Sequence, residues 1–402
     1  MEPRDNPYTP NAGAQPPALV GRDTELDAFD VLLARLERGA TEQSMIITGL
    51  RGVGKTVLLG VFREKADERR WATIEAEITK NSEFGPRIGL LARRALLQIA
   101  PKARWEERAR RAAAVLKSFN FTVSPHGSLS LGLDVEAAEG LADSGNLSED
   151  LTDLFVALGE AARAHDTGVV FLFDEVQFLA VRQLEALIAA LHKTVQRNLP
   201  ITMVGAGLPQ IPRLAGDAKS YAERLFKFPT IGRLSHAAAV EALVTPAWTL
   251  GVSYTDGAVE AIIEYTQGYP YFLQEYGKIV WDEAPESPIN EEHVASAQSL
   301  VEATLDGSFF RVRADRTTEL ELQYLRAMAE LGSEPQKAAE VARVLRRTSE
   351  QLGPTRSRLI EKGLLFTPGY GLAAFTVPQF DRYMIRSHEL AIPPPARRGP
   401  RR

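Results

Sequence analysis

The chain has 402 residues, enough to bury two or three hydrophobic cores, and its 45% hydrophobic and 25% charged residues are an ordinary globular composition. No apolar run approaches the ~18 residues a membrane helix needs and no signal-peptide core opens the chain, so a cytoplasmic protein with no membrane partner is expected. Zero Cys excludes disulfides and thiolate metal sites, and the net charge of −5 is unevenly spread. From Gly307 onward 17 Lys/Arg face 10 Asp/Glu, while the remaining residues carry 30 against 42. A basic C-terminal part on an acidic body is what a contact between that part and a polyanion requires. A solvated face plus a tail ending in Arg397, Arg398, Arg401 and Arg402 accounts for the same charges without a partner.

Residues 1–18 hold Pro3, Pro7, Pro10, Pro16 and Pro17 and little apolar content, which predicts an extended or disordered arm. Asp23 or Thr24 can then cap a helix with Leu26, Phe29, Leu32, Leu33 and Leu36 at helical spacing. The apolar run Met45-Ile46-Ile47 leads into Gly49-Leu50-Arg51-Gly52-Val53-Gly54-Lys55-Thr56, followed by the helix-compatible Val57-Leu58-Leu59. This is G-x-x-x-x-G-K-[ST] in its strand-to-helix context, a phosphate-binding loop. Its glycines let backbone N–H groups approach phosphate oxygens, and the helix N-terminus adds partial positive charge. Lys55 is placed to reach β- and γ-phosphates and Thr56 to hold Mg²⁺, which predicts ATP and Mg²⁺ as ligands.

Residues 71–78 alternate as a strand. Residues 83–117 read as two helices, and the alternation of Phe119, Phe121 and Val123, then Leu129, Leu131, Leu133 and Val135, about a Ser124-Pro125-His126-Gly127 turn, predicts a β-hairpin. Together these form an insert over 79–146, followed by an amphipathic helix over 147–165. Residues 168–175, Gly-Val-Val-Phe-Leu-Phe-Asp-Glu, are a strand buried on both faces with two carboxylates at its C-terminal end. Ligands of open α/β sheets sit beyond that end, so Asp174 and Glu175 fall beside the phosphate loop. Asp174 is assigned to the Mg²⁺ shell and Glu175 to orienting or deprotonating the attacking water. Another buried strand, 199–207, and a short helix carrying Glu223 and Arg224 precede a last strand over 226–231. Five strands with intervening helices predict an α/β fold with a parallel three-layer sheet over 19–233.

Residues 236–249, 257–266 and 271–284 have helical spacing, broken by Gly251 and by Gly268-Tyr269-Pro270, and predict a helical lid over 234–305. Over 306–390 the pattern gives helices at 320–331, 336–345 and 355–362, then a two-stranded turn over 363–375. Helix, helix, helix, wing is the winged-helix order. Arg356 and Arg358 on its third helix are the candidate DNA contacts, and 391–402 is expected to be a basic disordered tail.

Val20-Gly21-Arg22-x-x-Glu25-Leu26, the phosphate loop, Val169–Glu175, the helix with Arg224, the lid and the winged helix together resemble the origin-recognition-like AAA+ and STAND P-loop ATPases. More closely, the chain resembles a set of actinobacterial ATP-binding proteins carrying an AAA ATPase domain. The shared residues are Asp174–Leu179, Gly205–Pro209, Ser220–Phe226, Gly268–Gln274 and Phe375–Pro378. The resemblance implies that Arg22 and Glu25 lie on the adenine side and that Arg224 is an arginine finger acting in trans, which requires an oligomer. Two departures stand out. Gly205-Ala206-Gly207 ends its strand without the polar sensor-1 residue, and Tyr271 stands where many lids place the sensor-2 Arg. The expected function is therefore a slow ATP hydrolase that switches conformation, its winged helix binding double-stranded DNA. The alternative is a STAND-like signalling switch or scaffold whose winged helix binds a protein partner.

Overall fold

The computed structural model describes residues 1–80, 83–101, 105–123, 133 and 135–391. Five strands, β1 (Ser44–Thr48), β2 (Ala72–Glu77), β3 (Val169–Asp174), β4 (Ile201–Gly207) and β5 (Phe226–Lys227), form one parallel sheet in the order β2-β3-β4-β1-β5. Met45 pairs with Val204 and Phe173 with Gly205, so the C-terminal ends of β1, β3 and β4 lie side by side. β1 and β4 are buried at every position because both faces are covered. Val170 and Leu172 point into one layer with Phe29, Leu58 and Phe62 from the helices Asp23–Glu37 and Lys55–Glu68. Phe171 and Phe173 point into the other, where Phe171 stacks on Phe155 at 4.8 Å. The period-2 alternation of a strand thus divides its side chains between the two layers.

The expected hairpin is not formed by its first arm. Residues Glu107–Val123 are one helix. Val115, Leu116 and Phe119 are buried on its inner face while Phe121 is exposed, so spacing of three and four, not two, decides the segment. The expected turn and most of the second arm, 124–132, lie outside the described residues, as does nearly all of the basic tail. The last strand of the sheet is also shorter than expected, although Thr230 still bridges to Thr48.

The lid is made of His236–Trp248, Asp256–Thr266, Pro270–Glu283 and Glu291–Leu305. Its last helix does not end in a linker. A π-turn over Asp306–Phe310 carries it into Arg311–Ala314, and Phe310 then packs against Phe380 and Tyr383. Lid and C-terminal unit consequently share one apolar core. The N-terminal arm belongs to that core as well, which corrects the expectation of disorder. Tyr8 is buried, its hydroxyl donates to Leu243 O at 2.5 Å, and Asn6 Nδ2 donates to Asp282 Oδ1 at 2.7 Å. A buried aromatic and several long-range hydrogen bonds anchor a segment whose prolines disfavour only a long helix.

In the C-terminal unit the order is helix Glu319–Glu330, β6 (Gln336–Lys337), helix Ala338–Val344, helix Ser349–Glu361, β7 (Leu365–Phe366) and β8 (Leu372–Phe375), closed by helix Phe380–Ser387. The strands form an antiparallel sheet ordered β6-β8-β7. Two boundaries differ from expectation. Gln336 and Lys337 pair with β8 instead of starting a helix, and the third helix begins at Ser349, where Thr348 caps it with Gln351 in a reciprocal box. Glu321 is the polar centre of this unit. Its fully buried carboxylate takes Arg358 Nε at 3.0 Å and Lys362 Nζ at 2.6 Å. Burial alone pushes the carboxyl up, but Lys362, the Thr318 N–H and Arg358 outweigh it and bring it down to about 2. The folded value lies below the unfolded one, so this stabilisation is present above about pH 4.5 and is lost as pH falls towards 2. Glu321→Gln, which leaves two cations facing a neutral amide, is expected to cost about 3 kcal/mol. Urea unfolding at pH 7 should read that loss and show the gap closing below pH 4; an unchanged midpoint at pH 7 would sink the assignment.

Candidate nucleotide site

The phosphate loop leaves β1 at Thr48 and enters the helix at Lys55. Gly49 is required by close approach: a Cβ there would stand 2.4 Å from Ile231 O. Gly54 turns the chain at φ 92°, a conformation other residues rarely adopt. Lys55 Nζ donates to Gly49 O at 2.9 Å and Leu50 O at 2.7 Å, which places the ammonium inside the loop. Burial, reinforced by Arg51, outweighs the opposing pull of Glu175 and Asp174 and lowers Lys55 to about 8.

Thr56 and Asp174 converge as the sequence predicts. Thr56 Oγ1 donates to Asp174 Oδ2 at 2.6 Å, and the other carboxylate oxygen accepts from Glu175 N at 2.7 Å. One hydroxyl and one carboxylate suit Mg²⁺ that arrives with nucleotide phosphates and keeps its waters. Among the described residues no group of three His, Cys, Asp or Glu could hold a metal by itself. Glu175 follows in the left-handed region at φ 54° and ψ 38°, a conformation that costs a non-glycine residue energy and turns its side chain towards the loop. There its carboxylate accepts from Arg51 Nη1 at 3.0 Å and from Gln177 Nε2.

Gln177 is a site residue that its place in the Asp174–Leu179 stretch does not single out. Its Oε1 also accepts from Leu208 N at 3.2 Å, so one side chain ties the end of β4 to Glu175. A Cβ at Gly207 would lie 2.7 Å from that oxygen and 3.0 Å from Val176 Cγ2, so the end of β4 packs closely against the connection that carries Gln177. The amide reaching the strand end comes from the neighbouring connection.

A cavity of about 580 Å³ opens over the loop, within the size range of small-molecule clefts of about 300–1,000 Å³. Lys55, Thr56, Asp174 and Glu175 line its polar end, and Leu19, Val20 and Val57 add apolar wall. The N-terminal arm contributes a further wall from Thr9 to Pro16, and Gly13 lies over Thr56, with its Cβ position 3.5 Å from Thr56 Cγ2. Tyr271, in place of the expected Arg, donates its backbone N–H to Gly52 O at 3.2 Å and stacks on Phe309 at 4.7 Å. An arginine does enter from further along the chain. Arg313 lines the cavity with its guanidinium 4.2 Å from the Phe309 ring centre, and burial together with Arg51 lowers it to about 10.

Other candidates fall elsewhere. Arg22 lines the cavity, yet its guanidinium is committed to Gly232 O at 2.8 Å, Gly21 O at 3.0 Å and Val53 O at 3.1 Å. It therefore clamps the loop to the sheet-to-lid connection while lining the cavity. Glu25 is half-buried beside Arg22 and is not among the cavity-lining residues. Arg224 is exposed just before β5, whose Phe226 pairs with Ser44 at the start of β1, so it sits at the end of the sheet opposite the phosphate loop and cannot reach this chain's own nucleotide. Arg356 Nη2 donates to Leu372 O at 2.6 Å and Thr367 Oγ1 at 3.2 Å, and Arg358 neutralises Glu321. Both arginines thus carry internal bonds, and the Arg358 side chain stays about half exposed beside its ion pair.

A phosphate loop and an acidic strand end on a five-stranded parallel sheet define a P-loop nucleotide-binding domain. Residues 18–204 match the AAA ATPase domain family, and residues 307–384 match a domain of unknown function. The N-terminal part of the chain is thus similar to AAA ATPase domains, and its C-terminal unit to a second family. No curated protein sequence matches it. Among solved structures, the Walker-type ATPase of Pyrococcus abyssi is similar in fold at 15% identity, with a TM-score of 0.53 over 91% of this chain and 96% of that one. Two others are the Aeropyrum pernix Orc1 protein in complex with DNA, at 16% identity over 92% and 94% with a TM-score of 0.43, and the Thermotoga maritima RuvB Holliday junction branch migration motor, at 16% over 92% and 96% with 0.42.

Proposed function

We propose that the chain is a slow, Mg²⁺-dependent ATP hydrolase whose nucleotide state controls how the C-terminal unit sits on the phosphate loop. One observation carries the reading. Arg51, in the middle of the loop, donates its side chain to Glu175 and its backbone N–H to Thr376 O at 2.9 Å, where Thr376 closes β8 of the C-terminal unit. A single loop residue therefore touches both the hydrolytic carboxylate and the far unit. Lys55 and the loop N–H groups hold the β- and γ-phosphates, and Thr56 and Asp174 hold Mg²⁺, which when bound neutralises phosphate charge. Glu175 orients the attacking water and accepts its proton. While Arg51 and Gln177 occupy that carboxylate, it is not free to take the water, and turnover is slow until the loop shifts.

The C-terminal unit is read as a winged helix that binds double-stranded DNA, supported by its helix-strand-helix-helix-strand-strand order and its excess of Lys and Arg. In this reading Arg356 braces the wing and Arg358 the third helix, so both act by holding the unit's shape. A winged helix that docks a protein in a signalling switch has the same topology. An ATPase assay with and without duplex DNA, paired with gel shifts in ATP and in ADP, separates them. DNA-stimulated hydrolysis and a nucleotide-dependent shift are expected. A rate indifferent to DNA together with no shift in either nucleotide would remove DNA as the partner while leaving the ATPase intact. Assembly through Arg224 in trans is part of the same proposal, and mass by light scattering in ATP tests it.

A further inference from the structure

Beside the nucleotide cavity, and sharing Arg51, Ser308 and Arg313 with it, lies a second cavity of about 270 Å³ at the joint between the phosphate loop and the C-terminal unit. Four of its eight lining residues, Arg51, Arg313, Arg316 and Lys362, are cations, and none is acidic. Their charges are only partly matched. Arg51 shares Glu175 with Gln177, and Lys362 shares Glu321 with Arg358. Arg313 donates to Phe309 O but has no carboxylate partner, and the Arg316 side chain has neither an ion pair nor a hydrogen bond among the described residues. Like charges gathered in one concavity repel unless an anion joins them. The low end of small-molecule clefts is about 300 Å³, so this space suits a single tetrahedral oxyanion and not a nucleotide. Guanidinium forks match the oxygens of such an anion in pairs.

The cavity's position names the anion. Arg51 bonds to Glu175, the carboxylate assigned to the water that attacks the terminal phosphorus, so the shared wall stands at the γ-phosphate end of the nucleotide cavity. Resting on the ATP hydrolase reading above, we propose that this second cavity receives inorganic phosphate as it leaves the hydrolytic site. There Arg313, Arg316 and Lys362 hold it between the loop and the C-terminal unit before it reaches solvent. Phosphate departure, more than cleavage, then frees the joint.

The full chain loaded with ADP and titrated with inorganic phosphate by calorimetry at constant ionic strength is expected to bind one phosphate saturably. Arg316→Ala, at an exposed position outside the nucleotide cavity, should weaken that phosphate binding at least tenfold with ADP affinity unchanged within about twofold, and Arg316→Lys should restore part of it. In a single turnover followed with a fluorescent phosphate sensor, Arg316→Ala should release phosphate several-fold faster after an unchanged cleavage step. Absence of saturable phosphate binding to the ADP-loaded wild type, binding that Arg316→Ala leaves intact, or release that it leaves unchanged would each overturn the proposal. If ADP itself fails to bind, the hydrolase reading has failed, and the same titration on the nucleotide-free chain still decides whether the cavity takes phosphate.

Discussion

Lys55→Ala is expected to abolish nucleotide binding, lowering affinity for ATP at least about 100-fold, because it deletes two or more charge-assisted hydrogen bonds worth about 1.5–3 kcal/mol each. The ammonium is buried inside the loop with backbone carbonyls as its direct partners, so its main work is offered to an incoming phosphate. Its lowered value of about 8 gives a second, independent signature. Phosphates favour the charged form and raise that value on binding, so near pH 8 the complex takes up a proton. Affinity should fall about tenfold per pH unit above pH 8, until the raised value is passed, and stay near its maximum below about pH 7. Calorimetry in two buffers of different ionisation enthalpy measures the proton directly. Retained ATP binding in Lys55→Ala would sink the nucleotide site, and zero proton uptake in the wild type would sink the account of Lys55.

Glu175→Gln should reduce kcat by 10²–10³-fold, roughly the share a positioned general base supplies, while ATP binding stays within a few-fold of the wild type. The backbone at Glu175 is held at φ 54° by its surroundings, so the amide is delivered to the same place and only the proton acceptor is lost. Arg51→Ala removes the partner that occupies this carboxylate and should shift the rate the other way, upward by a few-fold. An ATPase assay on both variants, with binding measured separately, tests the pair. If Glu175→Gln retains the wild-type rate, Glu175 is not the base; if Arg51→Ala is as slow as Glu175→Gln, Arg51 assists the reaction instead of restraining it.

Much of this site is written locally in the chain. Gly49–Thr56 and Asp174-Glu175 are contiguous runs, and their strands are apolar at nearly every position, so the sheet and its ligand end follow from short stretches. Gln177, Arg313 and Thr376 are different in kind. Arg313 and Thr376 reach the site from far along the chain, and Gln177, though close to Glu175 in sequence, acts by bonding Leu208 at the next strand end; neither spacing nor periodicity records such meetings. The arm is legible only in part for a related reason: its prolines disfavour a long helix, but Tyr8 and Asn6 find partners more than 230 residues away. Residues 119–123 alternate like a strand taken alone, and only Val115 and Leu116, four and three positions before Phe119, bring out the helical period. Arg356 and Arg358 were rightly placed on the third helix, yet composition cannot say that one braces Leu372 and the other neutralises Glu321.

The π-turn over Asp306–Phe310 leaves no hinge between the lid's last helix and Arg311–Ala314. Residues 291–314 then act as one beam roughly 36 Å long at about 1.5 Å per residue. Its near end carries Phe309 and Arg313 to the wall of the nucleotide cavity, and Phe310 packs it against the C-terminal unit. In the proposed switch, a lever of that length would turn a sub-ångström adjustment at its short arm into ångströms at its long one. Mechanically, the chain is a two-piece clamp with its jaw at Arg51.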